Sequence, residues 1–123
     1  EAGAMAMASI HYSYDQYRQF GRAPGSRLDG IWDEYTAMLE DYDPERIHQR
    51  VHAGHNCWVL PEEERFVTPE LIDATCIVGT ADQIIDRLVE LDERGLDQLM
   101  ILPNFDPRFE VLEKIGQEII PNL

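Results

Sequence analysis

His48, His52, His55 and Cys57 form the densest group of side chains able to do chemistry. His48 and His52 are four apart, so on a helix they share a face. His55 and Cys57 follow Gly54, where the chain can fold back. Imidazole nitrogens and a thiolate suit zinc. The spacing matches no established zinc motif, so the histidines are read as surface or pocket-lining groups and no metal is assigned. A second group is Glu62, Glu63 and Glu64, with Arg65, lying beside Trp58 and Phe66. A carboxylate held near an apolar ring can have a raised pKa and act as a general acid or base. The plainer reading, preferred here, is a solvated helix start, where acids favour the positive end of the dipole.

Gly79 and Thr80 form a third candidate. Glycine allows close backbone approach, and Thr80 opens a helix whose free N–H groups could face a phosphate or carboxylate. The simpler roles are a turn and a helix cap, and they are preferred. Tyr12, Tyr14 and Tyr17 could stack on a flat cofactor. Tyrosines at helical spacing more often line a core or an interface, so these are assigned to packing.

The elements that must position these groups are read from helix caps. Thr80 and Gln83 make a capping box. Ile84, Ile85, Leu88 and Leu91 then fall on one face, and Gly95 sits where a left-handed terminal residue is needed. Asp43-Pro44, Thr68-Pro69 and Asp106-Pro107 each place a capping oxygen before a proline, a helix-start pattern. The last opens a helix with Phe109, Leu112, Ile115, Ile119 and Ile120 on its apolar side, stopping at Pro121. Met7, Ile10, Tyr14 and Tyr17 share a helical face that ends near Gly21. Leu28, Ile31, Trp32, Tyr35 and Leu39 suggest a second helix, and Ile47 and Val51 a third.

Leu99 to Leu102 is a continuous apolar run between Gly95 and Pro103, the pattern of a strand buried on both faces. Cys76-Ile77-Val78 reads as a shorter strand of the same kind. The result is strand, helix, strand, helix after an all-helical half. Two such strands cannot form a sheet alone, so the rest of a barrel must lie upstream or another chain must cover them.

Composition limits the function classes. The chain has 123 residues, 24 acidic and 10 basic, with a net charge of −14. The length suits one domain and falls short of a complete eight-fold α/β barrel. The charge repels phosphate backbones and anionic membrane surfaces, so nucleic-acid and membrane roles are not expected. No apolar run reaches bilayer-spanning length. The start has no basic segment and no initiator Met, and is read as processed or as part of something longer. Two cysteines make no disulfide framework, so the expected compartment is the reducing cytoplasm.

The run from His55 to Ile72, containing Pro61-Glu-Glu-Glu-Arg-Phe-Val-Thr-Pro-Glu-Leu71, resembles the late segment of luciferase-like monooxygenases. Val78-Gly-Thr-Ala-Asp-Gln-Ile-Ile-Asp-Arg-Leu88 and Gly95-Leu-Asp-Gln-Leu-Met-Ile-Leu-Pro103 resemble it too, as does the end at Pro121. The resemblance covers roughly residues 45–123 and is specific to the family's C-terminal portion. It implies an oxidoreductase parent using reduced flavin mononucleotide (FMN) or a deazaflavin, in which early strands and most cofactor loops would precede residue 1.

The expected fold is therefore helix-rich α/β: a C-terminal βαβα part of a TIM-type (β/α)8 barrel, residues 55–123, after a helical segment, residues 1–54. Chemistry in such barrels sits at the C-terminal strand ends. That places Gly79, Thr80 and Asn104 near a cofactor, while the resemblance puts His55, Trp58, Glu63 and Glu64 in a substrate pocket. No residue is assigned a catalytic role, and the chain by itself is not expected to be catalytic. The alternative is a non-catalytic oligomerisation or small-ligand-binding module derived from that barrel. A homodimer or larger assembly is expected, because the 99–102 strand must find cover.

Overall fold

The computed structural model describes residues 2–22, 24–25, 28–101 and 107–123. The chain divides into two compact units, Glu1–Cys76 and Ile77–Leu123.

In the first unit the long helix α1 spans Ala2–Phe20. Its small residues let neighbours come close: a Cβ on Gly3 would lie 2.8 Å from a Val67 methyl. Of the expected face, Met7, Ile10 and Tyr14 are buried, while Tyr17 is 46% exposed. Gly21, at φ +66°, ends the helix, and its N–H donates to the Tyr17 carbonyl at 2.8 Å. Helices α2 (Trp32–Leu39) and α3 (Ile47–Val51) follow. The Asp43-Pro44 pair makes a turn ahead of α3 rather than its cap. Asp43 Oδ1 accepts from the Glu45 N–H at 2.9 Å, and α3 starts without a side-chain cap.

A 3-10 turn, Pro61–Phe66, leads to α4, Pro69–Thr75. Here the Thr-Pro device works as expected: Thr68 Oγ1 accepts from the Leu71 N–H at 3.2 Å, and Pro69 occupies the first position. The core joins Met7, Ile10, Tyr35, Leu39, Val51, Phe66 and Leu71. Tyr35 is its hub, with Tyr14 and Phe66 edge-on at centroid distances of 6.2 and 5.6 Å. Full burial of each large apolar side chain contributes about 2 kcal/mol before entropy is counted.

In the second unit α5 spans Ala81–Glu93, and both arms of its capping box are made. Gly95 takes φ +95° just past its end. Helix α6 (Arg108–Lys114) runs into a π turn at Ile115–Ile119 and a final 3-10 turn. Pro121 has no N–H, so the α-helical ladder cannot pass it. The Ile120 N–H reaches back to the Ile115 carbonyl instead. α5 packs on the π turn, where Leu88 and Ile119 are buried. Asp106 lies outside the described residues; α6 has Pro107 before it and no side-chain cap.

The βαβα expectation is overturned. Among the described residues there is no strand and no sheet, so the unit is not a portion of a TIM-type barrel. Residues 96–101 carry no regular structure, and Leu102 lies outside the described residues. Leu99, Met100 and Ile101 are 47%, 89% and 46% exposed. Residues 76–78 are irregular as well, with Ile77 and Val78 exposed. The physical reason is pairing: a parallel strand is stabilised by ladders on its edges and cover on its faces, and the described chain offers this run neither.

Candidate acid–base site

The chemistry in the first unit gathers around two buried polar residues, His11 and Glu63. α1 carries His11 on its core face, one position after Ile10 and three before Tyr14. The 3-10 turn brings Glu63 inward for a related reason. Three residues complete one 3-10 turn, so Glu63 shares a face with Phe66, while Glu62 and Glu64 point outward. Glu63 and Phe66 are buried and the two flanking acids are exposed. The solvated-start reading therefore describes Glu62 and Glu64 but not Glu63.

His11 Nε2 lies 3.1 Å from Glu63 Oε1. On its other side, His11 Nδ1 lies 3.2 Å from Nδ1 of half-buried His55. The loop after α3 delivers His55. Gly54, at φ +74°, makes the sharp return, and a Cβ there would meet the Trp58 carbonyl at 2.6 Å. Asn56, at φ 61°, continues the left-handed path. His52 stacks edge-on to His55 at 5.0 Å and lies 2.6 Å from Asp15 through its Nε2. A carboxylate–imidazole–imidazole line thus runs from the buried Glu63 to the half-exposed His55.

Arg50 closes the inner end. Its Nη2 donates to Glu62 Oε1 at 2.6 Å, and its Nη1 is 3.6 Å from Glu63 Oε1. Tyr42 also donates to Glu62, at 3.2 Å, and the Arg50 guanidinium lies over the Tyr42 ring. Three buried atoms here have no hydrogen-bond partner among the described residues: Tyr35 Oη, Arg50 Nη1 and Glu63 Oε2. Burial, and then the Glu63 charge, push the Tyr35 hydroxyl far above its ordinary value, so it stays a phenol. Burial lowers His55, and His11 and His52 lower it further. Glu62 is held below the usual carboxylate range by the backbone N–H at its own position and by Arg50 and Tyr42.

Of the residues singled out from sequence, His55 and Glu63 come to one place, joined through His11. Glu64 and Trp58 are exposed, Trp58 by 61%. His48 and Cys57 are exposed, and Cys57 is a free thiol. Among the described residues no three His, Cys, Asp or Glu side chains converge to hold a metal ion. Tyr14 packs in the core, Tyr17 leans on Trp32 at 5.6 Å, and Tyr12 is exposed. Gly79 and Thr80 belong to the second unit. Thr80 N–H donates to Gln83 Oε1 at 2.9 Å, and the Gln83 side chain lies over Gly79. Asn104 lies outside the described residues. An open groove of about 470 Å³ borders Ser9, Ser13 and Thr75 and does not include the histidines. No described helix is long and apolar enough to cross a membrane.

His11 is the member of this cluster that the sequence reading does not single out. The signal was present, because position 11 falls on the same face as Met7 and Tyr14. A polar residue there must be satisfied from inside the core.

One comparison with known proteins finds a relative. A stretch of 58 residues is 40% identical to 5,10-methylenetetrahydromethanopterin reductase of Archaeoglobus fulgidus. The stretch is 46% of this chain and 18% of that reductase, so the chain spans far less than the relative's length. No family model matches the chain, and no solved structure matches it.

Proposed function

We propose that the chain is part of an oxidoreductase of the luciferase-like kind that works with a deazaflavin or FMN. The observation carrying this reading is the 40% identity over 58 residues to a protein named as a reductase. The family resemblance of residues 55–72 and 78–103 points to the same class. When bound, such a cofactor supplies hydride transfer or oxygen activation at its ring.

Gly79 and Thr80 do not fit a cofactor phosphate as they stand. Thr80 N–H and Oγ1 are both engaged by Gln83, whose side chain fills the space over Gly79. A phosphate there requires Gln83 to swing aside.

Fluorescence titration of the 123-residue chain with oxidised and reduced FMN and with a deazaflavin tests the reading. Saturable micromolar binding supports it. No binding to any of them removes the cofactor from this chain.

A second reading, an association module, is favoured by one observation. The run 99–101 leaves Met100 89% exposed, with Leu99 and Ile101 close to half exposed. Contiguous exposed apolar surface is where chains associate once the patch is large enough.

A further inference from the structure

We propose that Glu63, His11 and His55 form a proton relay that loads and unloads at Nε2 of His55. The proposal rests on contacts inside residues 1–76 and not on the oxidoreductase reading.

One nitrogen–nitrogen and one nitrogen–oxygen contact restrict the tautomers. An ionised Glu63 can only accept, so His11 Nε2 carries a proton and donates across the 3.1 Å contact. A neutral His11 then has a lone pair at Nδ1. Across the 3.2 Å contact His55 must donate from its own Nδ1. That leaves the lone pair of His55 on Nε2. His55 is the half-buried member of the three, and His11 and Glu63 are closed to water.

The reverse protonation is equally well bonded. When His55 Nε2 takes a proton from solvent, its Nδ1 proton passes to His11 Nδ1. The His11 Nε2 proton then passes to Glu63 Oε1. Each bond that breaks is replaced by one in the next ring, and the three groups change from a net charge of −1 to 0. Both end states keep both hydrogen bonds, with donor and acceptor exchanged. A merely structural His–Glu pair would need no second imidazole in line.

The surroundings bias both ends. Facing His55 are His11 and Asp15 from α1 and His52 from the end of α3. His52, 2.6 Å from Asp15 through its Nε2, disfavours a resident charge on His55. Facing Glu63 are His11 from α1, Arg50 from α3 and Tyr35 from α2. The Arg50 guanidinium, 3.6 Å from Glu63 Oε1, places a positive charge at the inner end.

Long-range nitrogen–proton NMR on the 15N-histidine chain tests the relay. At neutral pH we expect His55 as the Nδ1–H tautomer and His11 as the Nε2–H tautomer. On acidification both rings should shift with one common midpoint, accompanied by the Glu63 carboxyl carbon. Glu63→Gln keeps an acceptor for His11 and removes the charge, and should lower the proton affinity of the pair by about tenfold. His11→Phe should return His55 to the Nε2–H form. If that variant does not fold, the wild-type spectrum and Glu63→Gln decide. His55 found as Nε2–H, His55 titrating while His11 stays still, or an unmoved midpoint in Glu63→Gln would each overturn the relay.

Discussion

His11 Nε2 stands 3.1 Å from Glu63 Oε1, and the two side chains are 1% and 0% exposed. A buried carboxylate is costly unless it is paired and hydrogen-bonded. Removing its partner by His11→Leu leaves Glu63 with Arg50 Nη1 alone, at 3.6 Å and without a hydrogen bond. We expect His11→Leu to destabilise the fold by about 3 kcal/mol. The double variant His11→Leu/Glu63→Leu should recover most of that loss, because no charge is then stranded. Urea unfolding of the three proteins measures both. Additive losses would show that the pair does not interact.

The same cluster sets a pH dependence. Burial, His11 and His52 hold His55 below the ordinary imidazole value of 6.5. The unfolded chain therefore binds this proton more readily than the folded one. Stability is full above pH 6.5, falls as pH drops below it, and the penalty is complete below the folded value. His55→Gln should flatten this slope. Melting curves by circular dichroism between about pH 5 and pH 8 read it. A wild-type melting temperature that stays level or rises on acidification would contradict the assignment.

What could be read from the sequence was local. Thr80 with Gln83, and Thr68 with Pro69, carry their own partners within three residues, and both caps form. The faces of α1 to α3 follow from spacing in part: Met7, Ile10, Tyr14, Tyr35, Leu39, Ile47 and Val51 are buried, while Tyr17 is exposed and Leu28 lies ahead of α2. The strand expected over 99–102 does not form in its described part, 99–101, because an apolar stretch names no partner: strand pairing is a non-local property. Glu63 and His55 were legible as candidates, but their link was not. His11 is 44 residues from His55 and 52 from Glu63, a separation that no motif spans.

The α5 cap makes a local prediction. Thr80 Oγ1 accepts from the Gln83 N–H, while Gln83 returns a bond to Thr80. Thr80→Ala removes the first and loosens the second, at about 1 kcal/mol. Amide exchange at Ile84 to Leu88 should speed up about fivefold, since that free energy corresponds to such a factor in an opening equilibrium. Exchange in α1 should not change. Equal acceleration in α1 would mean that the substitution acts on global stability instead.

The exposed run makes the last prediction, and magnitudes decide its form. Burying the outer parts of Leu99, Met100 and Ile101 on both copies contributes about 8 kcal/mol, and the rigid-body freedom lost on association offsets about that much. A dimer at micromolar concentration therefore needs further apolar surface. Phe109 and Ile120, 79% and 63% exposed, are available in the same unit. We expect light scattering at about 100 μM to show a dimer or larger species. Met100→Lys should weaken it about tenfold, and Met100→Lys with Phe109→Ser should leave a monomer, because a charge in a buried contact stays unpaired. A monomeric wild type at that concentration would show that this surface meets water and not a second copy.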